Sequence, residues 1–200
     1  MLTTHARFGE ATAILAGDGL LHQAYETFIK IFDTEISTRT VKALKIFGDK
    51  TGINGMLGGQ SADVLHTGEI ISDELLYYIY EKKTGALIEG AMLTGSVLAG
   101  CNDEDLAKIK RVGELVGLAF QIKDDILDIY GNEKEIGKPL HSDEKNNKKT
   151  YITINGIEKS EHDIVVMSEE ACDIVSSLGN DVEERDFIIK LIKYLTDRTY

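Results

Sequence analysis

Two hundred residues, 42% hydrophobic and 28% charged, suit one medium-sized globular domain and exclude a disordered chain. Lysine and arginine total 22 against 34 acidic residues, a formal net charge of −12, which excludes a generic nucleic-acid groove because phosphate backbones need a basic face. One proline leaves room for long uninterrupted helices, and two cysteines, Cys101 and Cys172, exclude a disulfide framework or a zinc ligand set.

Each cysteine reads as a buried thiol in a reducing compartment. Met1 to Leu15 carries Glu10 and lacks the basic-then-apolar order of a signal peptide. Gly85 to Gly100 is the strongest membrane candidate, but Glu89 interrupts it and it is too short to span a bilayer. A cytoplasmic protein with no integral membrane association is expected.

In chain order, Phe8, Ala11 and Leu15, then Leu20, Leu21, Ala24, Phe28 and Ile31, predict a first long helix to about Phe32. Ser37 or Thr38 caps a second through Phe47, with a break at Gly48-Asp49. A glycine-rich stretch from Gly52 to Gly59 merges into Gln60-Ser61-Ala62-Asp63-Val64-Leu65. Ser72 opens the next helix, with Asp73 and Glu74 in the first turn where the helix dipole favours acids, and it runs to about Lys83. Thr84-Gly85 interrupts it before helix resumes over Ala86 to Ala99, where Gly90, Ala91 and Gly95 are small enough for neighbouring backbones to approach closely.

Asn102 or Asp103 caps a helix over roughly 104–130, and Gly131 closes it. A polar loop follows to about Asn147, and two amphipathic segments, about 158–178 and 183–197, finish the chain. Tyr151-Ile152-Thr153-Ile154 is rich in β-branched residues, but a lone strand has no partner, so a short helix or an extended linker is expected. The fold class is all-α, with no internal repeat.

The most specific segment is Phe120-Gln121-Ile122-Lys123-Asp124-Asp125-Ile126-Leu127-Asp128. On a helix Gln121, Asp124 and Asp128 fall within about 60° of one another, and Asp125 points about 100° away from Asp124. Two carboxylates on one face beside a side-chain amide make a magnesium shelf, because magnesium takes one or two protein carboxylates and completes its octahedron with water and phosphate. The alternative is a solvated acidic face, and a D-D-x-x-D arises by chance roughly 0.1 times in a chain this rich in aspartate. Against it, Phe120, Ile122, Ile126, Leu127 and Ile129 flank the acids too heavily for an exposed face.

Lys82-Lys83-Thr84-Gly85 offers a lysine and a hydroxyl beside exposed backbone groups, which suits a phosphate oxygen and equally suits a surface lysine pair before a cap. Gly137-Lys138, Asp143 and Lys145-Asn146-Asn147-Lys148-Lys149 place four lysines in the loop after the acidic helix, where a solvated loop is the plainer reading. Together these features describe a helical cavity that holds a diphosphate through magnesium.

At this point the chain resembles the trans-isoprenyl diphosphate synthases, the farnesyl and geranylgeranyl diphosphate synthase family, over almost its whole length. The matching stretches are Thr3-Thr4-His5-Ala6-Arg7-Phe8-Gly9-Glu10-Ala11, Leu15-Ala16-Gly17-Asp18, Gly58-Gly59-Gln60-Ser61-Ala62-Asp63 and Lys83-Thr84-Gly85-Ala86-Leu87. Phe120 to Asp128, Gly137-Lys138, Ser142-Asp143, Asn147-Lys148 and Thr150-Tyr151 continue the match in order.

The resemblance implies residues 1–200 as a single partial polyprenyl synthetase domain, the C-terminal two-thirds of the isoprenoid synthase helical fold. It implies a short-chain, geranyltranstransferase-like prenyltransferase in which Mg2+ bridges an allylic diphosphate, or its product pyrophosphate, to aspartates. Asp124 would be a direct metal ligand, Asp128 would act directly or through water, and Asp125 would support them. Lys83, Lys138 and Lys148 would grip the diphosphate, while Lys83, Thr84 and Gln121 would serve the reacting end. The helices beginning at Phe8 and Ile36 correspond to those through which the family dimerises, so a homodimer is expected.

The family's first aspartate-rich motif, and the residues before it that set product length, would lie upstream of Thr3-Thr4-His5, and no second D-D-x-x-D occurs in these residues. His141 stands where the family usually has glycine, and Lys149 where it usually has a small hydroxyl residue. The polypeptide alone is therefore expected to keep one metal half-site and to condense isoprenoids poorly. Alternatives are a non-catalytic diphosphate-binding or regulatory subunit paired with a complete synthase, a split enzyme, and a terpene-synthase-like lyase. Lys83-Thr84 and Gly137-Lys138 speak against the last. The loop over residues 131–150 is expected to order around substrate.

Overall fold

The protein is described here from a computed structural model covering residues 2–131, 148–179 and 182–198. Among these residues the structure is helical without a strand. The helices are α1 (Thr4–Phe8), α2 (Glu10–Ile29), α3 (Thr38–Thr51), α4 (Met56–Leu65), α5 (Asp73–Tyr80), α6 (Ala86–Leu98), α7 (Asp103–Tyr130), α8 (Tyr151–Asn155), α9 (Ile157–Ser176) and α10 (Val182–Asp197).

Side-chain caps open α3, α5 and α7. Ser37 accepts from the Thr40 amide in a reciprocal capping box, Ser72 from the Leu75 amide and Asn102 from the Asp105 amide. Thr150 and Thr153 form a second capping box that opens α8, so the β-branched run at Tyr151 is a short helix.

Three boundaries differ from the sequence reading. The first long helix is divided at Gly9, whose φ of 86° lies in the left-handed region that glycine tolerates. Gly48-Asp49 does not break α3, which continues to Thr51 because its side chains pack on α6 and favour one more turn. Thr84-Gly85 is no interruption either: Glu81–Gly85 forms a π-helical turn that joins α5 to α6 without a gap. Such single wide turns recur at functional sites because they re-aim side chains while keeping the helix intact. Cys101 and Cys172 are partly exposed rather than fully buried, and what burial they have pushes both thiols up.

Helix α7 is the axis of the packing, lying between α6 and α9. Near its acidic end, Ala119, Ile122 and Ile126 bury against Leu76, Ile79 and Tyr80 of α5, Tyr151 of α8 and Ile164 of α9. Nearer its start, Val112, Leu115 and Val116 pack on Ala171 and Val175 of α9 and Ile192 of α10. On the opposite side α7 meets α6 with almost no intervening side chain. A Cβ on Gly117 would lie 2.7 Å from the Gly85 Cα, and one on Gly113 would lie 2.7 Å from the Glu89 Cα. Glu89, which breaks the apolar run, is buried and its Oε2 pairs with Lys50 Nζ of α3 at 2.5 Å.

Helix α2 is the exception to this packing. None of its residues is buried, and Ile14, Leu15, Leu20, Leu21 and Ile29 are exposed. Its C-terminal end is held where Phe28 stacks on Phe47 and Tyr25 meets the same ring edge-on, both at 5.1 Å between centroids.

Gly117→Ala tests the α6 and α7 contact. Alanine gains about 1 kcal/mol of helix propensity, but a clash with backbone sits at the top of the overpacking range, about 3 kcal/mol. Expected is a net loss of about 2 kcal/mol by denaturant unfolding; a stabilised variant would show that the two helices have room to spare.

Candidate functional site

The acidic end of α7, the start of α5's π turn, α4 and the segment entering α8 enclose a cleft of about 180 Å³. Gln121, Asp124, Asp125 and Asp128 form one wall. Lys83, Asp63 and Lys148 form the other, with Leu76, Ile79 and Tyr80 at the apolar base. The helical spacing of Gln121, Asp124 and Asp128 thus delivers all three to one cavity, as the i, i+3, i+7 pattern requires.

The aspartates differ in their surroundings. Asp125 is buried, and its Oδ2 accepts from the Tyr80 hydroxyl at 2.5 Å and from the Tyr151 backbone N–H at 2.9 Å. That carboxylate therefore ties α5, α7 and α8 together beneath the cleft. The Tyr151 hydroxyl in turn donates to Asp163 at 2.6 Å; burial first, and then this bond, push its pKa up. Asp128 is also buried, whereas Asp124 is about one-third exposed at the cleft edge. The Asp124 Oδ1 accepts from Arg198 Nη2 at 2.5 Å. The Arg198 guanidinium carbon lies over the Phe120 ring, 3.7 Å from its centroid, and Arg198 donates to the Phe120 carbonyl at 3.3 Å.

On the opposite wall, the π turn brings the Thr84 hydroxyl onto the Gln121 Oε1, to which it donates. Lys83 Nζ donates to Asp63 Oδ2 at 2.6 Å, and Lys148 Nζ donates to Asp63 Oδ1 at 2.7 Å. The geometry depends on Gly59. A Cβ there would stand 2.3 Å from the Lys83 backbone nitrogen, so only glycine lets α4 lie directly against the turn that carries the lysine. Lys149 is drawn elsewhere, to the Ile71 carbonyl at 3.0 Å and to Asp73.

Of the residues singled out by sequence, Lys83, Gln121, Asp124, Asp125, Asp128 and Lys148 converge on the cleft, with Thr84 bonded to Gln121 behind it. Lys138, His141 and the greater part of the polar loop lie outside the described residues. Sequence reasoning missed Asp63, which lines the cleft, and Arg198, which bonds Asp124. Asp63 stood inside a quoted motif, Gly58-Gly59-Gln60-Ser61-Ala62-Asp63, and two lysines needing a counter-ion were the available signal. Arg198 had none, because its partner is 74 positions away.

Residues 1–189 match the polyprenyl synthetase family. A farnesyl diphosphate synthase of Bacillus subtilis (strain 168) is 34% identical over 201 residues, covering 99% of this chain and 66% of the relative. A geranylgeranyl diphosphate synthase of Cyanophora paradoxa is 35% identical over 192 residues, covering 94% of this chain and 64% of the relative. Among solved structures, a Helicobacter pylori geranyltransferase complexed with magnesium and isoprenyl diphosphate superposes with a TM-score of 0.80 at 28% identity, covering 96% of this chain and 62% of that one. The chain thus spans about 66% of the length of the first of these curated relatives.

The clamp on Asp63 has a pH signature. Burial pushes the Asp63 carboxyl up, but the hydrogen bonds and charges of Lys148 and Lys83 outweigh it and hold the pKa below its ordinary 3.8. A depressed folded pKa means stability present above pH 3.8 and lost as pH falls through the lower folded value. The stability difference between the parent and Asp63→Asn, followed by denaturant unfolding, is expected to be constant from about pH 5 to 7 and to shrink below about pH 4. A difference that grows with acid would contradict the clamp.

Proposed function

The chain belongs to the polyprenyl synthetase family, and from that premise we propose that its cleft binds the diphosphate of an allylic prenyl substrate together with magnesium. The reaction served is trans-prenyl transfer: the allylic C–O bond ionises, the double bond of isopentenyl diphosphate attacks the cation, and a proton is lost. The observation that carries this reading is the meeting of Asp124 and Asp128 with Lys83 and Lys148 across one cleft.

The donor set fits magnesium. Asp124 and Asp128 offer hard carboxylate oxygens, and among the described residues no group of three or more His, Cys, Asp or Glu forms a closed metal cage. A shelf of two carboxylates that leaves room for phosphate oxygens is how magnesium is ordinarily held. Bound there, it supplies neutralising charge to the departing pyrophosphate.

The chain's own groups do the rest. Lys83 and Lys148 present ammonium groups to the diphosphate from the side opposite the aspartates, and Lys138 is proposed as a third. The Thr84 hydroxyl and the Gln121 amide, fixed by their mutual bond, aim oxygen dipoles at the allylic carbon as positive charge develops. Asp125 positions Tyr80 and the Tyr151 amide and so keeps the wall of the cleft in register. Leu76 and Ile79 line the apolar side and exclude water from the cation. Arg198 occupies Asp124 Oδ1, so it would compete with magnesium for that carboxylate.

The exposed apolar side of α2 supports a homodimer through α2 and α3, since a monomer rarely leaves such a surface uncovered. No described helix is long and apolar enough to cross a membrane, and a cytoplasmic location is proposed. A second reading, a diphosphate-binding regulatory subunit paired with a complete synthase, draws on the same α2 surface and predicts binding without any turnover.

Calorimetric titration with pyrophosphate tests the site. Binding is expected with magnesium, not without it, and is expected to vanish in Asp124→Ala; no binding in either condition would mean the acids form only a solvated face. Arg198→Ala is expected to tighten the affinity for magnesium alone, and a weakened affinity would contradict competition at Asp124. These 200 residues carry a single D-D-x-x-D, and losing part of a metal cluster removes several kcal/mol of electrophilic stabilisation. Their steady-state condensation rate is expected to fall about a thousandfold or more below that of a full-length relative. Family-like turnover by the chain alone would overturn that expectation.

A further inference from the structure

Lys83 and Lys148 reach the cleft from unrelated parts of the fold, one from the π turn and one from the segment entering α8. Two ammonium groups in one cleft repel, and each sits on a flexible stem that loses rotamer entropy when fixed. One group overcomes both effects here. The Asp63 carboxylate accepts from Lys83 on one oxygen at 2.6 Å and from Lys148 on the other at 2.7 Å.

Asp63 is itself well anchored. Its side chain is only 14% exposed, on a helix pressed against the π turn through Gly59. The selection is also specific, because the adjacent Lys149 is tied to the Ile71 carbonyl and Asp73 at the start of α5. One carboxylate against two ammonium groups leaves the trio net positive. The cleft therefore keeps a cationic wall facing its aspartates.

We propose that Asp63 is the positioning residue of the diphosphate site, holding Lys83 and Lys148 converged so that they meet the ligand as a preformed pair. The role rests on the diphosphate reading of the cleft. It is distinct from mere neutralisation. If Asp63 only cancelled lysine charge, removing it would make the site more cationic and tighten anion binding. A positioning carboxylate has the opposite signature, because without it the two ammonium groups separate and each must be ordered afresh by the ligand. The depressed pKa of Asp63 agrees with a carboxylate ionised throughout the neutral range.

The test is calorimetric titration of the 200-residue chain with pyrophosphate at saturating magnesium, with folding of each variant checked by circular dichroism. Asp63→Asn is expected to weaken binding at least about tenfold, the cost of about one well-placed charged contact. Asp63→Glu, which restores the carboxylate, is expected to recover most of that loss. A double-mutant cycle on the lysines gives a second readout that leaves Asp63 untouched. If the lysines act as one preformed pair, either deletion breaks it, so Lys83→Ala, Lys148→Ala and the double variant are expected to lose similar affinity. Unchanged or tighter binding by Asp63→Asn, or strict additivity of the two lysines, overturns the positioning role while leaving the diphosphate reading intact. Absence of pyrophosphate binding by the parent chain overturns the diphosphate reading, and the positioning role falls with it.

Discussion

The backbone contact of Gly117 on Gly85 sets the register on which the rest of the site depends. Gly113, Gly117, Gln121, Asp124 and Asp128 follow one another at intervals of three and four along α7, so they share a face. The first two residues of that stripe allow α6 and the π turn to come within backbone distance, and the last three line the cleft. Across the contact, Gly85 is followed back along the chain by Thr84 and Lys83. Fixing Gly117 against Gly85 therefore fixes the Gln121 amide against the Thr84 hydroxyl, one turn further on. A side chain at Gly117 would push the π turn away from α7 before any cleft residue was touched.

Charge balance explains why an acidic protein is suited to an anion. Asp63, Glu69, Asp124, Asp125 and Asp128 outnumber Lys83, Lys148 and Lys149 around the cleft. On the proposed reading, diphosphate alone would meet a wall of like charge there, and added cation would reverse the sign of that wall. The same logic accounts for Arg198, which supplies Asp124 with a positive partner and lies over the Phe120 ring. The surplus of acid and the narrow band of lysines are two parts of one device.

Local signals in the sequence marked most of the helices, because capping residues such as Ser37, Ser72 and Asn102 act within three positions of themselves. The aspartate face of α7 was legible for the same reason, since helical spacing alone brings Gln121, Asp124 and Asp128 together. The π turn was not, because a single wide turn leaves no mark in composition and Thr84-Gly85 reads as a stop. Gly48-Asp49 misled in the same direction, since the packing of α3 on α6 outweighs the poor helix propensity of both residues. Asp63 and Arg198 were missed for a different reason. Their partners lie 20, 85 and 74 positions away, and such pairings arise from the tertiary fold.

The central physical claim is that one cleft holds metal and diphosphate between the aspartates of α7 and the lysines opposite. A crystal structure of the chain grown with pyrophosphate, and with manganese replacing magnesium so that anomalous scattering locates the metal, tests it most directly. Expected are a metal peak bonded to Asp124 on the Asp128 side, pyrophosphate between that peak and the ammonium groups of Lys83 and Lys148, and Arg198 released from Asp124. A metal elsewhere on the surface, or pyrophosphate remote from both lysines with Arg198 still on Asp124, would contradict it.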